Sequence, residues 1–364
     1  MILTAVMYTL YNLRPKGFNI GNDVIHLAIQ YFLRETFGSD FSLISLPATS
    51  RYEAHRKAGI SAGTVFEMNR LGDGLIVGGG NLYENNELEV NPVAINALEI
   101  PMIIFSVSRG KVYNRKHELV DRTDVMPASK IKLLNESADI SLSRDPATHS
   151  YIKDELGVDN IMGACPTMFI DQMPQHDVTT SQKVKSDCLI SIRTPNLMSV
   201  SVQKQNQVCE DLLAMISELK SRGYHDVRFL CHDHRDIPFA SSFTDIPYVY
   251  TEDVYAYLTY LKHTRLNITY RLHSFIPCMA YGVPTIKISY DQRALSLVDA
   301  IGLDDWNINH VLEDTVTEVK DRLDRLDELP GINKQVKKDV WQGMEAVIRD
   351  NVKRFAQLVD ERRS

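Results

Sequence analysis

The sequence predicts an α/β protein made of two Rossmann-like units, each a parallel sheet with helices on both faces. The length of 364 residues is enough for about two domains. Short β-branched runs alternate with helical patterns along most of the chain, which is typical of parallel sheets covered by helices. A polar stretch at residues 169–185 contains Pro174, lacks a periodic apolar face, and divides this alternation into two halves. Two such units predict a cleft near the carboxyl ends of their strands.

The individual elements follow from the same alternation. In the first half, strands are predicted at residues 2–7, 41–46, 74–77, 102–107 and 140–143, and helices at 23–37, 91–98 and 129–136. In the second half, strands are predicted at 188–192, 227–231, 248–250, 266–269 and 285–289, and helices at 201–222, 253–264, 274–281 and 295–301. We expect domains at 1–175 and 176–345, followed by a C-terminal helix at 346–364 that packs back on the first domain.

Composition and charge exclude several classes of protein. Hydrophobic residues make up 44% and charged residues 24% of the chain, which excludes wholesale disorder. The net charge is −7 and neither half is basic, so no nucleic-acid surface is expected. Every apolar stretch is shorter than the roughly 20 residues that a membrane span needs. Because the N-terminus also lacks a basic region and a cleavage site, we expect a cytoplasmic protein with no transmembrane segment.

The cysteines and one pair of histidines are the candidates for a metal site or a nucleophile. The five cysteines are scattered and form no Cys-x-x-Cys pair, which indicates a reducing compartment and no zinc site. Cys165 has no activating histidine that the sequence identifies, so it is interpreted as a buried structural residue. His232 and His234 have a spacing that can chelate a metal, but no third ligand is near. A loop lining the cleft, or simple helix capping by Asp236, is favoured over a metal site. No metal is expected.

Two loops of the first half combine glycines with amide side chains. Residues 17–23 place Asn19 before a helix, where the helix N-terminus can bind an anion; alternatively, Asn22 or Asp23 only caps the helix. Further along, Gly79, Gly80 and Asn81 follow the predicted strand at 74–77. Since the three consecutive glycines at 78–80 leave backbone N–H groups unshielded, this segment is predicted to be a loop that binds a ligand.

Cationic side chains follow strands in both halves. Arg144 ends the strand at 140–143, and the Asp-Pro pair after it predicts a helix start, so Arg144 either reaches the cleft or forms a surface ion pair. In the second half, Arg271, His273 and Ser274 lie at a strand-to-helix turn, where N–H groups and the helix dipole favour an anion. Arg293 lies at the equivalent turn of the next strand, so we expect it to face the same ligand as His273.

At this point the chain resembles the polysaccharide pyruvyl transferases. The matching pieces follow one another through most of the chain: the loop at 17–23, Gly78-Gly79-Gly80-Asn81, Ser143-Arg144-Asp145, Cys165-Pro166-Thr167, Ser191-Ile192-Arg193, Arg271-Leu272-His273-Ser274, Tyr281-Gly282-Val283-Pro284 and Tyr290-Asp291. The chain departs from the family pattern in the first loop, which reads Gly-Asn-Asp-Val where Gly-Asp is common, and it has Arg293 where a lysine or arginine is expected.

The resemblance implies a GT-B-like fold and a defined reaction. Such enzymes transfer a pyruvyl group from phosphoenolpyruvate to two hydroxyls of one sugar, giving a cyclic ketal in cell-surface polysaccharide biosynthesis. By resemblance, His273 is the catalytic acid/base, and Arg144, Arg271, Ser274 and Arg293 bind the donor. The first domain would then be the acceptor side and the second the donor side. No cofactor other than the donor substrate phosphoenolpyruvate is expected.

The sequence gives the least information about the acceptor. Asn19, Gly79, Gly80, Asn81 and Glu84 are the candidate acceptor residues, although Glu84 could equally belong to a solvated turn. The sugar could be free or linked to a nucleotide, a lipid or a polymer. An association with the inner membrane and a homo-oligomer are compatible with this interpretation.

Two other functions remain open from the sequence. The first is a GT-B glycosyltransferase that uses a nucleotide sugar, with Asp291 as the carboxylate for the ribose hydroxyls. The second is a catalytically silent binding protein on the same fold. Arg144, His273 and Arg293 argue against the silent protein, because mere binding does not need a histidine among arginines.

Overall fold

The computed structural model describes residues 7–51, 57–174 and 177–364, which contain two six-stranded parallel sheets. The first sheet has the order β2-β1-β3-β4-β7-β8 and the second the order β11-β10-β9-β12-β13-β14. The strands of the first sheet are β1 (Tyr8–Arg14), β2 (Phe41–Pro47), β3 (Gly74–Gly80), β4 (Met102–Val107), β7 (Ile140–Ser143) and β8 (Ile161–Met162). A two-stranded antiparallel ribbon, β5 (Val112–Tyr113) and β6 (Leu119–Val120), follows β4. The strands of the second sheet are β9 (Ser186–Ser191), β10 (Val227–Cys231), β11 (Tyr248–Tyr250), β12 (Thr264–Thr269), β13 (Thr285–Ser289) and β14 (Asn307–Asn309).

Helices connect these strands and cover the sheets. Those that precede the second sheet are α1 (Ile20–Phe37), α2 (Ala62–Leu71), α3 (Pro92–Ile95), α4 (Ala128–Ser137) and α5 (Pro146–Ser150). Those among the strands of the second sheet are α6 (Val202–Ser221), α7 (Ile237–Ser241), α8 (Val254–Lys262), α9 (Leu272–Tyr281) and α10 (Gln292–Ala300). The chain ends with α11 (Thr315–Asp324), α12 (Leu329–Val336) and α13 (Gln342–Arg363).

The predicted α/β class and the two parallel sheets are confirmed, and most elements lie within a few residues of their predicted bounds. The central strands β3 and β4 are buried along their whole length, as expected for sheets with both faces covered. The predicted strand at 2–7 lies almost entirely outside the described residues, and the first described strand is β1. The expected domain boundary at 175–176 also lies outside them.

Each sheet has a point where the strand order reverses, and this is where open α/β sheets bind ligands. In the first sheet it lies between β1 and β3, and in the second between β9 and β12. The loops that follow these four strands begin at Pro15, Asn81, Ile192 and Tyr270. The site is therefore expected among these loops and the helices they enter.

The connection between the sheets is more buried than its sequence suggests. The segment Pro166–Gln172 forms a 3-10 helix, and its Phe169 and Ile170 are buried. The expectation of a surface linker beginning at residue 169 is therefore wrong for these residues, because their side chains join the core that α1 and α9 share.

The C-terminal helix α13 packs on the first sheet. The Asp360 carboxylate accepts a hydrogen bond from the Tyr8 hydroxyl at 2.7 Å, and Arg363 forms an ion pair with Asp73 at 2.7 Å. The Phe355 ring lies so close to Gly74 that a Cβ there would meet it at 2.6 Å. The last helix thus covers the end of the first unit after the chain has completed the second.

Candidate functional site

A cavity of about 550 Å³ lies between the carboxyl edges of the two sheets. Its wall is dominated by arginines, which come from both units: Arg51, Arg122, Arg144, Arg193, Arg235, Arg271 and Arg293. Three carboxylates share the wall, namely Glu87, Asp124 and Asp291. This excess of cations makes the cavity suited to an anionic ligand. The size is within the range that small-molecule sites occupy.

His273 lies in this cavity at the start of α9. Its Nε2 atom is buried and has no hydrogen-bond partner among the described residues. Burial holds the pKa of His273 well below its usual value, and the positive charges of Arg144 and Arg293 lower it further. The imidazole is therefore neutral at pH 7 without a ligand. The other side of the ring meets Gly21 of α1, where a Cβ would be 2.9 Å from His273 Nδ1.

Arg144 reaches the cavity from the first sheet. It directly follows β7, and the next residue, Asp145, caps α5 by accepting a hydrogen bond from the Thr148 N–H at 3.0 Å. The side chain is only 2% exposed, and one Nη atom donates to the Ser108 hydroxyl at 2.6 Å. Its buried Nε has no partner among the described residues. The alternative of a surface ion pair is thus wrong, because this guanidinium is buried and faces the cavity.

Arg293 is held between two carboxylates from different units. Its Nη atoms lie 2.6 Å from Asp291 and 2.7 Å from Glu84. Burial opposes the charge, but the two carboxylates outweigh this effect and raise the pKa of Arg293. Burial raises the pKa of Glu84 to about 7 in spite of Arg293, whereas Arg293 outweighs burial and lowers the pKa of Asp291. Much of the positive charge of Arg293 is therefore already compensated.

Glu84 does not lie where the sequence suggested. It is 1% exposed and lies behind Arg293, outside the cavity wall. The interpretations of Glu84 as a ligand for sugar hydroxyls and as part of a solvated turn are both corrected, because its carboxylate forms a buried ion pair.

The segment at Gly79 and Gly80 is also different from the prediction. These glycines belong to β3 rather than to a loop, and they are buried. Gly79 has φ +63°, and a Cβ on it would lie 2.1 Å from Ile25 Cγ2. The absence of a side chain thus allows α1 to pack on β3, and the structure places neither glycine on the cavity wall.

Arg271 and Ser274 are engaged with the protein. Arg271 Nε donates to the Ile192 carbonyl at 2.9 Å, and its Nη2 pairs with the buried Asp236. Ser274 is fully buried and lies 2.7 Å from the Ser191 hydroxyl, and it is absent from the cavity wall. Arg271 borders the cavity, whereas Ser274 ties the end of β9 to α9 beneath it.

Arg193 is a site residue that the sequence analysis quoted but did not select. It follows β9 and its Nε is 3.4 Å from the Leu197 carbonyl. Its buried Nη1 has no hydrogen-bond partner among the described residues, and the nearest carboxylate, Asp233, is 3.9 Å away. Burial, with Arg271 nearby, lowers the pKa of Arg193 to about 10. Its position after a strand at the order reversal was the sequence signal that could have identified it.

Amide side chains form the part of the wall that comes from the first order reversal. Asn19, Asn22 and Asn81 line the cavity. Asn19 is the residue that caps α1, since its Oδ1 accepts from the Gly21 N–H at 3.0 Å; neither Asn22 nor Asp23 has this role. These neutral donors and acceptors suit hydroxyl groups better than they suit a phosphate.

Cys165 is not a nucleophile in the described structure, and His232 and His234 do not form a metal site. Burial raises the pKa of the Cys165 thiol, which is fully buried. His232 is buried whereas His234 is half exposed in its side chain, so the pair does not converge. Within residues 7–51, 57–174 and 177–364, no group of three or more metal-ligating side chains is found. In the same ranges, no helix is long and apolar enough to cross a bilayer.

Solved structures that are similar to the chain have the GT-B fold. They include MnaA of S. aureus with UDP, at a TM-score of 0.53 and 12% identity over 89% of this chain and 90% of that one. UDP-GlcNAc 2-epimerase of Neisseria meningitidis bound to UDP-GlcNAc has a TM-score of 0.52 and 11% identity over 90% and 93%. Sucrose-phosphate synthase of Thermosynechococcus elongatus has a TM-score of 0.53 and 8% identity over 97% and 100%. At identities this low, such similarities show the fold alone. The structural similarity confirms the predicted GT-B-like fold.

The sequence comparison identifies the family. No curated protein sequence matches the chain. The profile described as polysaccharide pyruvyl transferase matches residues 19–292, a range that begins at Asn19 and contains Arg144, Arg193 and His273. The chain therefore belongs to the polysaccharide pyruvyl transferase family.

Proposed function

We propose that this protein transfers a pyruvyl group from phosphoenolpyruvate to two hydroxyls of a sugar, forming a cyclic ketal. The observation that carries the proposal is the unsatisfied part of the cavity. His273 Nε2, Arg144 Nε and Arg193 Nη1 are all buried and lack hydrogen-bond partners among the described residues. Since buried polar atoms in proteins normally have partners, a ligand with anionic oxygens is the natural complement of this cluster.

The donor has the charges that this cluster needs. Phosphoenolpyruvate carries a phosphate and a carboxylate, and we assign these to Arg144 and Arg193, with Arg271 shaping the pocket beside Arg193. Arg293 adds to the positive potential, but its two carboxylate partners make it a weaker ligand than the sequence suggested. In this proposal the domain at 176–345 supplies most of the donor site, and Arg144 completes it from the domain at 1–175.

The chemistry assigned to His273 is proton transfer. The first sugar hydroxyl loses its proton and attacks the carbon that bears the phosphate, while the methylene carbon gains a proton and becomes a methyl group. The C–O bond to phosphate then breaks, and the second hydroxyl attacks the same carbon and loses its proton. The products are the ketal and inorganic phosphate. The neutral imidazole can accept a hydroxyl proton, and a bound anionic donor raises its pKa so that it can also donate one.

The acceptor is assigned to the amide part of the wall. Asn19, Asn22 and Asn81 present donors and acceptors without charge, which suits the hydroxyls of a sugar. They come from α1 and from the end of β3, on the first unit. This arrangement supports the domain at 1–175 as the acceptor side.

The alternative of a nucleotide-sugar transferase is disfavoured by Asp291. That function would use this carboxylate for ribose hydroxyls, but its Oδ2 pairs with Arg293 at 2.6 Å and its Oδ1 caps α10 by accepting from the Ala294 N–H at 3.1 Å. Both oxygens are thus occupied by the protein itself.

The product that is released distinguishes the two functions. The protein is incubated with a panel of sugar acceptors and either phosphoenolpyruvate or a UDP-sugar, and phosphate and UDP are measured separately. We expect phosphate release that requires both phosphoenolpyruvate and an acceptor. UDP release without phosphate release would replace the proposal by the alternative.

A further inference from the structure

We propose that Tyr257 is a positioning residue that holds the backbone of His273 and thereby aims its imidazole into the cavity. This inference rests on the proposed function, because it concerns how the assigned acid/base is kept in place. Tyr257 belongs to α8, is fully buried, and is absent from the cavity wall. Its hydroxyl donates to the His273 carbonyl oxygen at 2.8 Å.

The sequence of α9 explains why this hydrogen bond is needed. In an α-helix the carbonyl of residue 273 accepts from the N–H of residue 277. Residue 277 is a proline inside the helix, so this donor does not exist and the ring of Pro277 also crowds the carbonyl. His273 accordingly departs from helical dihedral angles, with φ −85° and ψ 19°. The hydroxyl of Tyr257 takes the place of the missing donor.

The direction of the hydrogen bonds can be deduced from the groups present. A carbonyl oxygen only accepts, so the one hydroxyl proton of Tyr257 goes to His273. His232 Nε2 lies 3.0 Å from the same hydroxyl and must therefore donate to its oxygen. This requires that Nε2 of His232 carries a proton, as it does in the neutral Nε2–H tautomer. Burial holds the pKa of His232 well below its usual value, which agrees with this neutral form.

The arrangement also connects the site to the first unit. The carbonyl of His232 accepts a hydrogen bond from the Ile20 N–H at 3.0 Å, and the neighbouring Gly21 contacts the His273 ring. The imidazole is thus bounded by α1 on one side, while Tyr257 holds its backbone on the other. Losing the hydroxyl removes one side of this support and leaves the cavity residues unchanged.

The test compares Tyr257→Phe with Tyr260→Phe in the full chain. Tyr260 lies on the same helix and is 2% exposed, and its hydroxyl forms no hydrogen bond with a described residue. We expect Tyr257→Phe to lower kcat by about tenfold to a hundredfold, since small displacements of a catalytic group have such effects. The KM for phosphoenolpyruvate should change by less than about twofold, because no donor ligand is removed. Tyr260→Phe should leave both constants unchanged.

A crystal structure of Tyr257→Phe supplies a readout that does not depend on activity. We expect the His273 peptide to rotate and the imidazole to leave its place beside Arg144. An unchanged kcat, or an unmoved imidazole, would overturn the proposal. If the wild-type protein releases no phosphate from phosphoenolpyruvate, the proposed function fails, and the position of His273 in the two structures still decides the role of Tyr257.

Discussion

The two order reversals of this protein face the same cavity but offer different chemistry to it. The first, between β1 and β3, presents the amides of Asn19 and Asn81, whereas the second, between β9 and β12, presents Arg193 and His273. The fold is similar in the two units, so the difference comes from the loop residues alone. In the proposed function, this difference divides the recognition of a neutral acceptor and an anionic donor between the two halves of one architecture.

The largest effect is expected from His273→Gln, which removes the proposed acid/base from the second order reversal. The amide keeps the approximate size and hydrogen bonding of the imidazole but cannot transfer a proton, so turnover should fall by about 10²–10⁴-fold. Initial rates of phosphate release measure this. Because the residue lines a cavity, the folded state should survive. Near-normal turnover would show that His273 only positions the ligand.

The pH dependence of the wild-type enzyme sharpens the same assignment. The pKa of His273 is well below its usual value in the free protein, chiefly because of burial and then because of Arg144 and Arg293. A bound anionic donor counteracts these effects and raises the pKa. The midpoint of the kcat profile should therefore lie at higher pH than that of kcat/KM for phosphoenolpyruvate. Coincident midpoints would argue against a histidine beside the donor.

Gly79→Ala tests whether the glycines of the first unit serve packing or ligand binding. The new Cβ would collide with Ile25 at 2.1 Å, and the backbone has φ +63°. Overpacking and strain should lower the free energy of unfolding by about 1–3 kcal/mol, as measured by chemical denaturation. Gly17→Ala is a matched control, since a Cβ there meets nothing within 4 Å. A stable Gly79→Ala variant with impaired ligand binding would restore the ligand-loop hypothesis.

Asn81→Ala probes the amide side chains at the first order reversal. Losing one uncharged hydrogen bond costs about 0.5–1.5 kcal/mol, or roughly a twofold to tenfold increase in the KM for the acceptor. The KM for phosphoenolpyruvate should remain unchanged. An effect on the donor alone would reverse the roles assigned to the two units.

Glu84→Gln tests the contact between the units. Burial raises the pKa of Glu84 to about 7, so the native state holds this proton more tightly than the unfolded state does. Its contribution to stability is complete at pH values below the unfolded pKa and is lost as the pH rises through 7. Between pH 5 and 8, the wild type should lose about 2–3 kcal/mol more unfolding free energy than Glu84→Gln. Parallel curves would exclude a raised pKa.

The sequence was sufficient for most strands of the two sheets and for the turn at His273, but not for β8 and β14. Strands such as 227–231 and 285–289 consist mainly of apolar or β-branched residues and have clear ends, so they were predicted with the observed bounds. The turn was predictable because His273 directly follows a strand and precedes an apolar helix that ends at Gly282, which has φ +77°.

The rest depends on distances between residues that are far apart in the chain. Nothing near Arg293 in sequence reveals that Glu84 pairs with it, and nothing near Arg193 reveals that its Nη1 lacks a hydrogen-bond partner among the described residues. The glycines at 79 and 80 were misplaced because the requirement for them comes from Ile25 on α1, more than fifty residues earlier. Tertiary packing thus decides which cations remain available for a ligand.

The central claim is that Arg144 and Arg193 form the donor site, each through a buried guanidinium nitrogen that has no hydrogen-bond partner among the described residues. Calorimetric titration with phosphoenolpyruvate tests this claim most directly. Arg144→Ala and Arg193→Ala each remove one charge-assisted contact, which should weaken binding by roughly tenfold to a hundredfold. Asn81→Ala should bind the donor like the wild type. If phosphoenolpyruvate binds equally well to both arginine variants, the donor site lies elsewhere and the account is contradicted.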